Sequence, residues 1–252
     1  MGKDTHRIKL VSLNVELDRH LDRVIPFLLK ENPDAVCLQE VYEKDMPKFR
    51  DALQMAGDFE PASVLDVRIE NGALVRDAEL AKKGPHGVAF FTRLPVKAGG
   101  VEYYFGDPKK VPRHSVCYNR FLLWRRLEKD GTLFTLGTTH FTWTPDGAVS
   151  EEQRQDIQAL LKILRQFPDI VFCGDFNAPR GGEIWSAIAA RYTDNIPAHY
   201  ATSIDPNLHR KKGLQHMVDG LFSTPHYACR ETRLQCGVSD HCAVIGVIER
   251  VE

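Results

Sequence analysis

No run in this chain approaches the roughly 18 consecutive apolar residues that a membrane span requires. The opening residues, MGKDTHRIKL, lack the apolar core of a secretion signal, so a cytoplasmic location is expected. CxxC pairs are missing too, and the six cysteines (Cys37, Cys117, Cys173, Cys229, Cys236 and Cys242) are dispersed, mostly in apolar runs. That pattern disfavours a disulfide scaffold and a cysteine-rich zinc site, and it predicts reduced thiols. Charge of one sign is also scarce: 33 Lys and Arg against 34 Asp and Glu leave a net charge of −1. Without a global basic field, any binding of a polyanion needs a local patch. There is no GxSxG elbow and no Cys-x5-Arg loop, so a covalent serine or cysteine intermediate has no support.

What is present is an ordinary globular composition, 43% hydrophobic and 27% charged over 252 residues. One domain over 1–252, acting as a monomer, is the expectation. IKLVSLNV (8–15) alternates and is β-branched, which predicts a strand. Leu17, Leu21, Val24, Ile25 and Leu28 then follow helical spacing. DAVCLQE (34–40) reads as a second strand and residues 44–56 as a second helix. From Gly87 onward, GVAFFT, VEYYF, NRFLLWRRL and TLFTLGTTHF are strand-length runs separated by turns, a pattern of antiparallel pairing. Ser150 with Gln153 forms a capping-box pattern before a helix that leads into the strand IVFCGDFN. Further strands are expected at 216–222, 226–234 and 242–249. The stretches 66–86, 106–115 and 203–215 read as long surface loops.

Short polar clusters recur where these apolar runs end. Asn14 closes IKLVSLN, Glu40 closes DAVCLQE, His140 closes FTLGTTH, and Asp175 and Asn177 close DIVFCGDFN. Side chains at strand ends can converge on one rim of a sheet. Asp219 in MVDGLF and the pair Asp240 and His241 in SDH complete the set. Taken singly these residues have plainer readings: Glu40 as a surface charge, Asn14 as a turn residue, Asp219 as a cap before Gly220.

Together, SLN (12–14), LQEV (38–41), TTH (138–140), GDFNAP (174–179), MVDGLF (217–222) and SDH (239–241) resemble, in order, the signature of the endonuclease/exonuclease/phosphatase (DNase I-like) superfamily. The resemblance implies a four-layer αββα sandwich, two packed mixed β-sheets flanked by helices. It further implies a Mg²⁺-dependent phosphoesterase, with Mn²⁺ able to substitute. Glu40, Asn14 and Asp240 would surround the metal, as hard oxygen donors suit Mg²⁺. Asp175 would deprotonate the attacking water and Asn177 would place it. His241, held by Asp219, and His140 would face the phosphate.

The implied substrate is a phosphodiester, with DNA or RNA as the leading expectation. A small-molecule or lipid phosphoesterase, of inositol phosphate phosphatase or sphingomyelinase type, is the alternative. A non-catalytic binding member would lack Glu40, Asp175, Asn177 or His241, and all four are present. Met217 stands where nucleases often carry a basic residue, and THFTWT is an unusual tail for its motif. Trp143 either borders the substrate or packs its own loop. Arg210, Lys211 and Lys212 either form an anion-binding patch or a solvated face.

Overall fold

The computed structural model describes residues 6–70, 73–115 and 117–251. β1 (Arg7–Asn14) and β2 (Ala35–Tyr42) lie parallel and are connected through α1 (Leu21–Glu31). That helix starts later than Leu17, because Glu16 and Leu17 take left-handed backbone with φ of 48° and 65°. A 3₁₀ turn (Glu43–Asp45) enters α2 (Met46–Leu53), and β3 (Ala56–Val64) follows.

The stretch 66–86 is not one loop. It contains the hairpin β4 (Val67–Glu70) and β5 (Ala73–Arg76), then α3 (Ala78–Lys82), capped by the Asp77 carboxylate. Elements of four or five residues without an apolar stripe leave little periodic signal. Next come β6 (Pro85–Thr92), β7 (Val96–Phe105), β8 (Arg120–Lys129) and β9 (Thr132–His140). α4 (Glu151–Leu164), β10 (Val171–Asp175), α5 (Glu183–Ala189) and β11 (Thr193–Asp194) follow, and the chain closes with β12 (Asp219–Ser223), β13 (Tyr227–Gln235) and β14 (Ala243–Arg250).

Two six-stranded sheets result, ordered β13-β14-β1-β2-β6-β3 and β11-β12-β10-β9-β8-β7. Both are mixed, with parallel pairs β1–β2 and β9–β10. Antiparallel pairing holds through β7, β8 and β9, while β6 departs to the other sheet and pairs with β2 and β3.

Strand alternation builds the layers. Ile8, Leu10, Ala35 and Cys37 join Phe121, Leu136, Cys173 and Leu221 in one core between the sheets. The alternate residues Val11, Leu13, Val36 and Leu38 pack on Val24, Leu28, Met46 and Phe49 of the first two helices. On the far side, the Trp185 ring of α5 packs at a tilt 5.1 Å from that of Phe222, with Ile157 and Leu161 of α4 in the same cluster. The outcome is the expected order of helices, sheet, sheet, helices. Each fully buried Leu or Phe contributes about 1.5–3 kcal/mol to holding it.

Cys236 and Cys242 form a disulfide, which corrects the expectation of six reduced thiols. Their separation of six in sequence carries no CxxC signal, but the turn entering β14 brings the Cα atoms to 4.1 Å. Cys37, Cys117, Cys173 and Cys229 are free. No helix among the described residues is long and apolar enough to cross a membrane.

Candidate active site

The two parallel pairs point their C-terminal ends at the same rim. Asn14 ends β1, and its side-chain amide donates to Glu40 Oε1 at 3.1 Å. Glu40 reaches this position through a β-bulge: the register against β6 jumps between Leu38 and Val41, and Glu40 takes φ of 58°. In the second sheet Asp175 registers with both His140 and Asp219, so three candidate side chains stand abreast on β9, β10 and β12. Gly174 makes this close approach possible. At its φ of 141° a Cβ would lie 1.9 Å from the Thr139 carbonyl oxygen.

Asp175 is where the sheets meet. Its Oδ1 accepts the Asn177 backbone N–H at 2.8 Å, which fixes the carboxylate plane. Its Oδ2 accepts from Asn14 Nδ2 at 3.1 Å and faces His140 Nε2 at 3.6 Å and His241 Nε2 at 3.9 Å. Asn177 itself is left-handed (φ 50°), and its Nδ2 donates to the Phe141 carbonyl at 3.0 Å. His241 Nδ1 donates to Asp219 Oδ2 at 2.7 Å. Ser239, Asp240 and His241 lie inside the small ring closed by the Cys236–Cys242 disulfide.

Burial, then the charge of Asp240, pushes Glu40 up to about 7. Burial raises Asp175 to about 6, partly offset by His241. For His241 burial opposes the charged form, yet Asp219, Asp175 and Asp240 together hold it well above its ordinary range, as an imidazolium. His140 is the reverse: burial and the nearby Arg120 guanidinium keep it well below, as a neutral ring. One rim therefore carries a cationic and a neutral imidazole beside two reluctant carboxylates.

The predicted residues do not all join this set. Trp143 is 52% exposed. Lys211 pairs with Asp146, and Lys212 Nζ donates to the Asn207 carbonyl at 2.6 Å. Arg210 is exposed and makes no ion pair among the described residues. The loop that carries them nevertheless overhangs the rim, since the His209 ring stands edge-on 6.5 Å from that of His241.

Three supporting residues escaped the motif reading. Arg120 lies buried over the Tyr118 ring at 4.0 Å and donates to the His140 carbonyl at 3.1 Å. Tyr118 in turn sets its ring edge-on to His140, at 6.0 Å. Gln153 has its backbone N–H capped by Ser150, as the capping box requires, but its side chain does not cap in return. It donates instead to the carbonyls of Thr142 (2.7 Å) and Asn177 (3.4 Å), tying the helix start to the loop that carries Asn177. An arginine opening the apolar run NRFLLW was the available signal for Arg120, because buried arginine is rare without a task.

The donor chemistry fits a hard divalent cation. Glu40, Asp175, Asp219 and Asp240 crowd one rim, with few compensating positive groups, and Asn14 adds an amide oxygen. Ligand atoms of Asp175, Asp219 and His241 also lie within 4.8 Å of one another. Asp219 already accepts from His241, and Asn14 Oδ1 accepts the Glu16 backbone N–H at 3.1 Å, so each candidate donor set contains a committed member.

Solved structures share this architecture at low sequence identity. An endonuclease/exonuclease/phosphatase from Bacteroides vulgatus matches with a TM-score of 0.73 at 18% identity, over 97% of this chain and 99% of that one. The human Nocturnin catalytic domain, solved with bound sulfate, matches with a TM-score of 0.71 at 18% identity, over 98% and 94% of the two chains. A mannosyl-6-phosphatase from Bacteroides thetaiotaomicron gives 0.66 at 13% identity, over 97% and 100%. No curated protein sequence matches the chain. The sequence profile of the endonuclease/exonuclease/phosphatase family matches residues 11–241, and the chain belongs to that family.

Proposed function

We propose that this chain is a Mg²⁺-dependent phosphodiesterase acting on nucleic acid by direct attack of water. The carrying observation is the surroundings of Asp175 Oδ2, a buried carboxylate oxygen facing an amide and two imidazole nitrogens from three separate segments of the chain. A group held this way, raised to about 6, accepts a proton from water near neutral pH. Asn177 orients that water. His241, charged and fixed by Asp219, donates from Nε2 to a phosphate oxygen as negative charge builds. His140, neutral, offers a second donor. Asn14, Glu40 and Asp240 would hold the cation, which when bound neutralises the phosphate and the departing oxygen. The test of this reading is turnover of a substrate panel (single-stranded DNA, duplex DNA, RNA, sphingomyelin, inositol phosphates) with Mg²⁺ added. Hydrolysis confined to inositol phosphates or sphingomyelin would replace the nucleic-acid reading.

Metal affinity should depend on pH with a defined sign. The raised folded-state value of Glu40 means that its proton favours the metal-free fold at low pH, a contribution lost as pH rises through about 7. Below that value Mg²⁺ must displace the proton. The apparent dissociation constant, followed by titration calorimetry, should rise about tenfold for each unit the pH falls below it. A flat profile from pH 5.5 to 8 would contradict the Glu40 assignment.

For a polynucleotide substrate, Arg210, Lys211 and Lys212 should contact phosphates flanking the scissile one. Replacing all three with Ala should raise KM for long oligonucleotides, spare kcat, and reduce the salt slope by roughly one unit per lost contact. Unchanged KM and salt dependence would make the loop a solvated face, with Lys211 serving only its partner Asp146.

A further inference from the structure

A pocket of about 380 Å³ lies beside the rim and takes no part in the chemistry above. Two of its walls come from segments that adjoin a candidate catalytic residue, and Ala198, Tyr200 and Ala201 form the third. Pro179 and Arg180 follow Asn177, while Gln215, His216 and Met217 precede Asp219. These two walls are tied together, Arg180 N–H to the Met217 carbonyl at 2.8 Å. The turn after His140 packs against the first two walls. Gly147 abuts both: with φ of 68°, its Cβ position would meet Pro179 Cγ at 2.6 Å and His216 Cδ2 at 3.9 Å. Two residues of extended chain span about 7 Å at most, so Pro179 and Met217 stand within that distance of Asn177 and Asp219.

The wall chemistry narrows the occupant. Arg180 is the pocket's one charged group, and its guanidinium is consumed by Asp194 (2.8 Å) and by the carbonyls of Ile196 and Pro197 (3.3 Å). Most of its five donors are therefore committed away from a second phosphate. Tyr200 and His216 present rings, Met217 and Pro179 present apolar surface, and Tyr200 is backed by the His199 ring at 4.2 Å. The Tyr200 hydroxyl, the Gln215 amide and the His216 ring nitrogens make no side-chain hydrogen bond among the described residues. A mostly polar lining that offers two rings and several uncommitted donors and acceptors suits a planar, uncharged heterocycle with hydrogen-bonding edges.

We infer that this pocket is a subsite for the nucleobase of the nucleotide adjoining the scissile phosphate. The inference rests on the phosphodiesterase reading but has its own readout. Binding of thymidine to the full chain, followed by NMR at millimolar concentration, should be lost in Tyr200→Ala and His216→Ala and kept in Tyr200→Phe, since phenylalanine still stacks. Turnover gives the second readout. For thymidine 5′-(p-nitrophenyl phosphate), kcat/KM should fall roughly 5- to 150-fold in Tyr200→Ala, the range expected for one lost stack. Methyl p-nitrophenyl phosphate, which has no base, should change less than about twofold. If both esters fall equally, the residues are structural and the subsite is wrong. If thymidine binds all variants alike, or methyl glucoside competes and thymidine does not, the subsite is also wrong. Thymidine binding with the expected variant pattern but no hydrolysis of either ester would uphold the subsite and overturn the phosphodiesterase reading.

Discussion

Asp175→Asn should lower kcat by about 10²- to 10⁴-fold with little change in KM or thermal stability. The substitution keeps size and hydrogen-bonding shape but removes the proton acceptor, and general-base catalysis contributes on that scale. An amide oxygen at Oδ1 can still accept the Asn177 N–H at 2.8 Å, so the loop should hold its form. Asn14 Nδ2, now 3.1 Å from Oδ2, would face an NH₂ group instead, a local mismatch to be checked by circular dichroism and melting. Because the loss belongs to the transition state, it should appear in kcat and kcat/KM alike. A variant with intact fold and more than a tenth of wild-type kcat would remove Asp175 from the base position.

Glu40→Gln should raise the Mg²⁺ concentration needed for half-maximal activity by one to two orders of magnitude and leave the fold intact. Neutralising one carboxylate removes the strongest hard-cation donor in the Asn14, Glu40 and Asp240 group. Burial drives Glu40 up to about 7, so its ionised form already carries a cost in the metal-free protein. Glutamine avoids that cost, and the metal-free variant should melt no lower than wild type above pH 7. The two observations pull in opposite directions, weaker metal response and undiminished stability, and a purely structural Glu40 would produce neither. Equal Mg²⁺ dependence in the variant would place the cation elsewhere, the Asp175, Asp219 and His241 cluster being the next candidate.

The site was legible because its residues close apolar runs of strand length. Only β1 alternates in sequence, but the runs of β2, β9 and β10 were long and apolar enough to place Glu40, His140 and Asp175, with Asn14, at strand ends before any register was known. β2 in fact continues two residues past Glu40, to Tyr42. What periodicity could not carry was set by single backbone angles or by tertiary contact. The bulge at Glu40, the left-handed turn at Leu17 and the left-handed Asn177 are each one residue's φ, with no repeating signal. The departure of β6 to the other sheet depends on pairing with β3, a strand whose half-exposed, proline-interrupted sequence reads poorly. The Cys236–Cys242 bond is likewise a matter of how a turn closes, and spacing alone pointed the other way. Arg120, Tyr118 and Gln153 act on His140 and Asn177 across 20 or more residues of sequence or through a helix start, distances at which a motif does not exist.

Hydrolysis of a phosphodiester by the metal-stripped protein, measured before and after Mg²⁺ is restored and again in excess chelator, tests the central claim most directly. Turnover should be absent without the cation, return with Mg²⁺ or Mn²⁺, and vanish again on chelation, with Asp175→Asn inactive throughout. Full turnover in excess chelator, or equal rates for wild type and Asp175→Asn, would contradict it.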